Sequence, residues 1–567
     1  MLKRLLRQLL GTPPESVAGL IARSRDERER GDPATSLATL EVVLRREATN
    51  AEALAELGPS CRALGRYDEA CAVLERAAVN APGSMLPLMY IGNLAHEAGR
   101  LDEAISAYRR GLVLDAGNAS LHYNLALSLL SRGEAADAVE AFRACLAAAP
   151  DFPDARASLL FALNLSDRDS AERTAAEHFD WGRRVADPLW RDRTYSNAPE
   201  PQRTLRIGYV SADFFGHAAT DFIHSFLAQH ERDGYAISCY CNAPVPDAKL
   251  GLHGHAWRDI SGLDDTQAAA LVESEAIDIL VDLSGHTRGN RLLLFARKPA
   301  PLQMTFLGYP NTTGMRAMDY RLTDAYADPP EASRGRYRER LLRMPQGLWC
   351  YQPQDEDTSA PGPLPALQSG HVTFGSMNNV AKLNAGVVGL WAELLLRVKD
   401  AQLLMATVPP GEARARLLRV FVEKGVDAQR IRFSERLDKP GFRALHQQVD
   451  IALDAYPCNG GATTCETLWL GVPVLSLAGD EFRTRAGLSL LNTVGLPQLV
   501  ARDSAEFLAI AADLASDTEK LQALRAGLRE AMRVSPLCDA AGYTRALEAI
   551  YRGIWSEWCT GAFMAKL

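Results

Sequence analysis

A glycine-rich loop lies between two apolar runs in the C-terminal part of the chain. The mostly apolar run 449–453 is typical of a buried strand, and the Pro, Asn and Gly residues after it end that strand. We expect a short helix to open at about Thr463 and to stop at Gly471. Gly460 and Gly461 allow a ligand to approach the backbone closely, and a helix start directs free N–H groups toward it. The natural occupant of such a loop is a diphosphate.

Glu466 lies three residues into the predicted helix, where its carboxylate could accept hydrogen bonds from the hydroxyl groups of a ribose. Thr463 and Glu466 also fit a capping box, which needs no ligand. The residue pattern alone leaves a phosphate site and a plain βαβ turn equally open.

A histidine and two aspartates follow the first strand predicted in the middle of the chain. Residues 205–211 form an alternating, β-rich run, and Asp213, His217 and Asp221 come next, before an apolar helix over residues 222–229. Open α/β sheets carry their chemistry at the carboxyl ends of strands. The cluster is therefore a candidate for catalytic side chains, and the other interpretation of His217 is a buried histidine that caps the next helix.

Three more strands are predicted in this region, at residues 235–241, 277–283 and 303–307. The turns after the last two, residues 284–290 and 308–314, are polar and rich in glycine, so both could line a cleft. Either turn could equally be an ordinary loop.

A second series of strands and helices follows a linker, residues 353–370, which is rich in Pro, Asp and Ser. Lys382 lies just beyond the first strand of this series, where it could place a charge on a phosphate or be a solvated helix lysine. Two doubly wound halves joined by a linker leave a cleft between them. An amphipathic helix over residues 539–555 is expected to cross back to the first half. The strands predicted in the second series are residues 372–376, 402–406, 431–434, 451–453 and 474–477.

The first 160 residues contain a repeat. Glycines recur every 34 residues, at Gly31, Gly65, Gly99 and Gly133. Five residues after each glycine comes a small residue, namely Ser36, Ala70, Ala104 and Ala138. This pattern resembles the tetratricopeptide repeat, a helix–turn–helix unit that stacks into a solenoid. Three repeats are clear and the first is degenerate. Such an array presents a groove for a peptide or protein, and the alternative is that it only braces the next domain.

Length, composition and charge limit the function classes. The chain of 567 residues is too long for one core, so about three domains are expected. A net charge of −8 argues against a nucleic-acid or anionic-membrane surface. The ten cysteines form no CxxC pair and no metal-type cluster, which favours reduced thiols in a cytoplasmic protein. Residues 1–7 fit a small amphipathic helix rather than a signal peptide or a membrane anchor.

Taken together, these motifs resemble the O-linked N-acetylglucosamine transferase family. The chain looks like a compact bacterial member, because the long insert between the catalytic halves of the animal enzymes is missing. The matching segments, in the order of the family, are residues 205–214 with His217, 277–289, 299–303, 307–310, 318–320, 378–382 and 453–473.

The resemblance implies an α-solenoid of tetratricopeptide repeats followed by an α/β GT-B fold of two Rossmann-like domains. The implied boundaries are 1–160 for the repeat array, 161–200 for a helical connector, 201–360 for the first Rossmann-like domain, 366–538 for the second, which binds the nucleotide sugar, and 539–567 for the returning C-terminal helix.

The same resemblance implies roles for individual residues. His217 matches a proposed general base, Asp213 another acid–base position, His178 a connector histidine that also faces the site, and Lys382 the lysine that neutralises the leaving diphosphate. The nucleotide-sugar residues implied are Asn378, Asn379, Lys382, Lys439, Phe442, Gly460, Gly461, Ala462, Thr463, Thr464 and Glu466. The sugar and acceptor cleft is expected at Gly308, Tyr309 and Pro310.

The implied function is inverting transfer of N-acetylglucosamine from UDP-N-acetylglucosamine to Ser and Thr of proteins, with no metal or cofactor and with the acceptor held in the repeat groove. Two departures from the animal enzymes keep other donors open. Residues 217–221 replace a His-Pro-Thr-Ser-His run, and Phe442 replaces a histidine that lies against uracil. The alternatives are a GDP-fucose O-fucosyltransferase, a UDP-hexose protein glycosyltransferase, and a weakly active, nucleotide-binding repeat scaffold.

Overall fold

The computed structural model describes residues 15–152, 154–245, 252–353 and 361–561. It divides into two compact units, Met1–Ala155 and Arg156–Leu567. The helix expected at residues 1–7, residues 354–360 of the linker and the last six residues of the chain lie outside the described residues.

The first unit is the repeat array. Its described residues form four consecutive helix pairs, so the degenerate first repeat is also a complete helical hairpin. The helices are α1 (Val17–Glu29), α2 (Pro33–Arg46), α3 (Ala51–Ala63), α4 (Tyr67–Asn80), α5 (Leu86–Glu97), α6 (Leu101–Leu114), α7 (Ala119–Arg132) and α8 (Ala135–Ala148).

The repeated glycines and small residues take the positions that the period predicts. Each glycine lies between the helices of its pair with a left-handed φ, from +72° to +92°, which a side chain would disfavour. Each small residue five positions later is fully buried, so the paired helices can pack closely. The residues concerned are Gly31, Gly65, Gly99, Gly133, Ser36, Ala70, Ala104 and Ala138.

The second unit begins with two connecting helices, α9 (Ala155–Leu163) and α10 (Ala171–Trp181). The predicted array runs to residue 160, whereas the first unit ends at Ala155 and α9 belongs to the second unit apart from its first residue. The reason is that carbonyls near the end of α9 bond to groups of the second unit, as in the hydrogen bond from Tyr309 Oη to Leu160 O.

A parallel sheet follows the connecting helices. Within the described residues it has seven strands in the order β3-β2-β1-β4-β5-β6-β7. The strands are β1 (Leu205–Ser211), β2 (Tyr235–Cys241), β3 (Ala256–Asp259), β4 (Ile279–Asp282), β5 (Leu302–Thr305), β6 (Tyr320–Asp324) and β7 (Arg340–Met344). The helices between them are α11 (Thr220–Leu227), α12 (Asp265–Ser274) and α13 (Leu292–Ala296).

A second parallel sheet repeats the same winding. In the part of the chain that is described it has six strands in the order β10-β9-β8-β11-β12-β13. The strands are β8 (Thr373–Ser376), β9 (Gln402–Met405), β10 (Ile431–Phe433), β11 (Ile451–Leu453), β12 (Val474–Leu477) and β13 (Val500–Ala501). Its helices are α14 (Ala366–Ser369), α15 (Ala385–Arg397), α16 (Glu412–Glu423), α17 (Lys439–His446), α18 (Ala462–Trp469), α19 (Ala486–Thr493), α20 (Ser504–Ser516) and α21 (Thr518–Arg533).

Both sheets reverse their strand order once, between β1 and β4 in the first and between β8 and β11 in the second. Ligands of doubly wound sheets bind in the crevice that opens at the carboxyl end of such a reversal. The loops after β1 and β4 therefore define one crevice, and the loops after β8 and β11 define another. This is the GT-B arrangement of two Rossmann-like domains.

The last helix, α22 (Ala540–Cys559), packs against the first of these domains. Tyr551 Oη lies 2.9 Å from Tyr209 Oη, and His230 Nδ1 lies 2.9 Å from Glu548 Oε1. The chain thus returns to the first sheet after the second is complete. In the described ranges, no helix is both long enough and apolar enough to cross a membrane.

Candidate active site

The glycine-rich loop after β11 is shaped by a buried carboxylate. Asp454 Oδ1 accepts hydrogen bonds from Gly460 N at 2.7 Å and Ala455 N at 2.9 Å, and its Oδ2 accepts one from Ser476 Oγ at 2.8 Å. Burial raises the pKa of Asp454, and these hydrogen bonds favour the charged form. Asp454 therefore joins both ends of the segment 455–460 to β12.

Lys382 spans the crevice of the second sheet. It follows β8, and its Nζ donates a 2.8 Å hydrogen bond to the carbonyl of Asn459 in the loop after β11. Asn459 is buried, and its side-chain Nδ2 donates to Ala455 O at 2.8 Å. Sequence reasoning missed this residue, because a backbone carbonyl that orients a lysine leaves no signal in residue types.

The helix after the glycine loop begins without a side-chain cap. Its N-cap is Gly461, and Thr463 and Thr464 lie in its first turn. The capping-box alternative is therefore wrong, since Thr463 is already inside the helix and Glu466 accepts a 3.1 Å hydrogen bond from Arg443 Nε. The first N–H groups of a helix have no intrahelical acceptor, so this helix start directs donors toward the crevice.

Helix α17 contributes the other expected nucleotide contacts. Lys439 is exposed at its first turn, and the half-buried Phe442 ring packs edge-on against His446 with centroids 5.0 Å apart. Arg443 of the same helix bonds Glu466 of α18, so the two helices are joined at the predicted ribose position.

Two asparagines follow β8 in the same crevice. Asn378 is buried with no hydrogen-bond partner for its Oδ1, which lies close to Gly460. Asn379 is exposed, and its Oδ1 accepts a 2.9 Å hydrogen bond from Ala381 N. Asn378 therefore has a free acceptor at the glycine loop, whereas Asn379 caps the turn that carries Lys382.

The loop after β1 carries the predicted acid–base residues. The His217 side chain is 56% exposed, and its Nδ1 lies 3.9 Å from Asp213 Oδ1. His217 Nδ1 also accepts a 3.2 Å hydrogen bond from Ala219 N, so a neutral His217 carries its proton on Nε2. His217 therefore presents a donor to the solvent side, and Asp213 presents an acceptor.

Aromatic residues of the first domain bring the two crevices together. A methyl group built on Gly461 would lie 3.5 Å from Trp349 Cη2. Trp349 packs on Phe222 with centroids 5.7 Å apart, and Phe222 is in α11, directly after the loop that carries His217. The glycine loop of the second domain therefore faces the loop of the first domain that carries Asp213 and His217.

In the ranges that the structure describes, no group of three or more His, Cys, Asp or Glu could hold a metal ion.

His178 and Tyr309 lie inside the protein. His178 is fully buried, with Nδ1 2.7 Å from Thr174 O and Nε2 2.7 Å from Tyr309 Oη. Burial lowers the pKa of His178 to about 3. These contacts correct the expectation that His178 faces an open site, because both ring nitrogens are used within the protein.

The loop from Gly308 to Pro310 braces the connecting helices. Tyr309 Oη also accepts a 2.7 Å hydrogen bond from Asn164 Nδ2, and Gly308 has no room for a side chain beside Leu283 O. Gly308 and Pro310 are half-buried. The Tyr309 ring therefore points into the connector rather than into a sugar or acceptor cleft, while the backbone of the loop stays near the surface.

The repeat array has a cavity of its own, of about 280 Å³. Asn124 lines it and donates from Nδ2 to Asn93 Oδ1 at 3.0 Å, and Tyr108 Oη donates to the same oxygen at 2.8 Å. The cavity is thus lined by aromatic and amide groups.

Comparisons with known proteins agree with this architecture. The family model described as glycosyl transferase family 41 matches residues 157–353 and 365–547, and tetratricopeptide-repeat models match residues 21–84, 92–133 and 119–152. A tomato (Solanum lycopersicum) relative named probable UDP-N-acetylglucosamine–peptide N-acetylglucosaminyltransferase SPINDLY is 39% identical over 422 residues, which cover 73% of this chain and 45% of the relative. The Arabidopsis thaliana relative of the same description named SEC is 29% identical over 372 residues, covering 63% of this chain and 38% of the relative.

The chain thus spans less than half the length of these curated relatives. A solved structure of a mutant O-GlcNAc transferase from Thermobaculum terrenum is 35% identical and superposes with a TM-score of 0.80, covering 91% of this chain and 99% of that one. The family model, the relatives and the solved structure agree, and the chain belongs to glycosyl transferase family 41.

Proposed function

We propose that this chain is an inverting glycosyltransferase that moves N-acetylglucosamine from UDP-N-acetylglucosamine to Ser and Thr hydroxyls of proteins. The observation that carries the proposal is the meeting of Lys382 and the start of α18 at the crevice of the second sheet, bridged by the Lys382–Asn459 hydrogen bond. A cation and a helix N-terminus at one crevice suit a diphosphate.

The reaction is a single displacement. The acceptor oxygen attacks the anomeric carbon, the bond from that carbon to the diphosphate oxygen breaks, and the configuration inverts. Lys382 and the free N–H groups of α18 stabilise the charge on the departing diphosphate, so the proposal needs no metal ion and no cofactor. Glu466, oriented by Arg443, accepts hydrogen bonds from the ribose.

The acceptor hydroxyl gives its proton to Asp213. Neutral His217 carries its proton on Nε2, so it can donate a hydrogen bond but cannot accept a proton there. Asp213 lies 3.9 Å from His217 Nδ1 and is the acceptor of the pair. His217 thus acts beside Asp213 as a hydrogen-bond donor, at the sugar or the attacking oxygen.

The acceptor is a protein segment that binds the repeat array, whose cavity offers Tyr90, Asn93 and Asn124 to an extended chain. A protein acceptor of this kind and the reduced cysteines fit a cytoplasmic enzyme.

The test combines binding and transfer. Calorimetry with UDP, GDP and their sugar conjugates should show binding of UDP and its N-acetylglucosamine conjugate. Mass spectrometry of a protein extract incubated with that conjugate should show the added sugar on Ser or Thr. Asp213→Asn should keep donor binding and lose at least about a hundredfold in transfer, the usual size of a general-base contribution. Absence of nucleotide binding in the wild type would contradict the proposal and favour a repeat scaffold.

The base position also admits a second donor. The Phe442 ring can stack on a base but cannot hydrogen-bond it, so Phe442 itself does not select uracil over guanine. A GDP-fucose or UDP-hexose donor would use the same Lys382 and α18 contacts. Preference for GDP in the calorimetric titration would change the donor and leave the reaction type intact.

A further inference from the structure

We propose that Arg483 is a positioning residue for Lys382. Arg483 is bonded to the connecting helix α9 and holds Asn459, which in turn holds Lys382 beside the donor diphosphate. The inference rests on the proposed function, because it assigns Lys382 to the diphosphate. Arg483 does not touch the substrate in this account. It fixes the loop that orients the lysine.

Arg483 lies in the loop after β12 and ties three segments together. Its side chain is only 3% exposed. Nη1 donates to Leu163 O at 2.9 Å and to Ser166 O at 2.8 Å, and Nη2 donates to Glu481 Oε1 at 2.8 Å. The guanidinium of the second Rossmann-like domain is therefore buried against the connecting helices.

The two carbonyls lie at the end of α9 and just after it. Leu163 is the last residue of that helix, and Ser166 follows three residues later. The last carbonyls of a helix have no intrahelical partner and carry its partial negative charge, so a cation placed there is stabilised. A buried guanidinium that lost these carbonyls would stay desolvated without partners, which makes its position hard to change.

A backbone hydrogen bond connects Arg483 to the glycine-rich loop that carries Asn459. The carbonyl oxygen of Arg483 accepts a 2.8 Å hydrogen bond from Asn459 N. The carbonyl oxygen of Asn459 in turn accepts the 2.8 Å hydrogen bond from Lys382 Nζ. One hydrogen-bonded path therefore runs from the end of α9 through Arg483 and Asn459 to the ammonium. A lysine held by one carbonyl keeps two N–H donors for phosphate oxygens.

The test measures the affinity for UDP and for uridine, which lacks both phosphates, in full-length protein. We expect Arg483→Met to weaken UDP binding about tenfold, the size of one charge-assisted hydrogen bond, and to leave uridine binding unchanged. Arg483→Lys, which can still donate to a carbonyl, should lose less. Arg525→Met is the matched control, because Arg525 is equally buried in the same domain but bonds Gly362 O and Val449 O, away from the loop.

A double variant separates positioning from loss of stability. If Arg483 acts through Lys382, Arg483→Met should add little to the loss of UDP affinity caused by Lys382→Met. Unchanged UDP affinity in both Arg483 variants, equal loss for UDP and uridine, or the same loss in Arg525→Met would overturn the inference alone. If Arg483→Met does not fold, Arg483→Lys and its double variant give the same comparison. Wild-type protein that binds neither UDP nor GDP would instead overturn the proposed function and this inference with it, and a preference for GDP moves the test to GDP and guanosine.

Discussion

At the scale of single residues, Lys382 is the side chain on which the proposed chemistry depends most. Its Nζ is held by Asn459 O at 2.8 Å, beside the start of α18. We expect Lys382→Met to lower turnover by at least about a hundredfold, because a preorganised cation acts most strongly on charge that develops in the transition state. The melting temperature should change little, since the lysine is half-buried and bonds one carbonyl.

Initial rates of sugar transfer and a thermal melt check this expectation. Lys424→Met is the matched control, because Lys424 forms an exposed ion pair with Glu393 in the same domain. Equal turnover in the wild type and in Lys382→Met would remove the lysine from the diphosphate site.

Two buried histidines predict how stability depends on pH. Burial lowers the pKa of His178 to about 3 and that of His286 to about 4, from an ordinary value of 6.5. At pH values between the folded pKa and 6.5, each histidine is protonated in the unfolded chain and neutral in the folded one. The free energy of unfolding therefore decreases as the pH falls below about 6.5. The loss at pH 5.5 should be about 1 kcal/mol for each histidine.

Denaturant unfolding at pH 7.5 and pH 5.5, in the wild type and in His286→Gln, measures this effect. Glutamine can still donate to Thr313 O, as His286 Nε2 does at 2.9 Å, but it does not titrate. The variant should lose less stability than the wild type over this interval. An equal loss in both proteins would mean that His286 takes up its proton at the same pH in the folded and the unfolded protein, which would contradict the prediction. The difference between the proteins is the readout, because other buried groups also titrate.

Motif residues and tertiary contacts differ in how far the sequence predicts them. The places of Lys382, Gly460 and Gly461 after buried strands could be predicted, because strand ends and glycine loops are local features, and their contacts with a donor stay a prediction. His178 could not be placed, since its environment depends on Tyr309, which is 131 residues away in the chain. The Arg483 contacts to α9 span more than 300 residues and involve backbone carbonyls, so no residue pattern reveals them.

At the scale of elements, the connecting helix α10 docks on the first domain through two glycines. A side chain built on Gly182, directly after α10, would overlap the carbonyl oxygen of Gly314, and Gly314 has a φ of +74°. We expect Gly182→Ala to destabilise the protein by a few kcal/mol, because backbone must move to make room.

Gly553 provides the control for this substitution. It lies inside α22 with nothing within 4 Å of the position of a side chain. Gly553→Ala should therefore stabilise the protein by up to about 1 kcal/mol, as alanine favours a helix over glycine. Denaturant unfolding of both variants checks the opposite signs. A neutral Gly182→Ala would mean that α10 is not held against the 314 loop in solution.

The strands that the sequence predicts best are those made mostly of apolar residues. Leu205–Ser211, Tyr235–Cys241, Ile451–Leu453 and Val474–Leu477 were predicted with the bounds that the structure has. The predicted strand 277–283 extends beyond β4 by two residues at its start and one at its end, and the predicted strand 303–307 starts one residue later and ends two residues later than β5. Strands β3, β6, β7 and β13 were not predicted. Strands β3, β6 and β7 contain Arg, which is not typical of a buried strand, and β13 has only two residues. Arg321 of β6 is nevertheless buried, because its guanidinium donates to Tyr309 O at 2.8 Å.

At the scale of the whole molecule, each compact unit has its own hydrophobic core. The core of the array includes Leu20, Leu40, Leu57, Leu74 and Leu94, all from its own helices. The two Rossmann-like domains share one continuous cluster that extends through both sheets and α22. The residues proposed for donor binding all lie in the second unit.

This division predicts where a nucleotide stabilises the protein. A ligand that binds only the native state raises stability by about 2.7 kcal/mol at a hundred times its Kd. We therefore expect UDP to raise the melting temperature of the full chain and to leave that of an isolated 1–155 fragment unchanged. The fragment itself should be helical and should melt cooperatively, because stacked repeats bury each other's apolar faces.

Differential scanning calorimetry and circular dichroism, with and without UDP or GDP, test both statements. An unfolded 1–155 fragment would show that the array depends on the rest of the chain for its stability. A full chain whose melting temperature neither nucleotide raises would show that the crevice at Lys382 binds no nucleoside diphosphate, however well its residues suit one. Stabilisation by one nucleotide alone would identify the base of the donor, because UDP and GDP share the diphosphate that Lys382 and α18 are proposed to hold, and only the base pocket beside Phe442 can distinguish them.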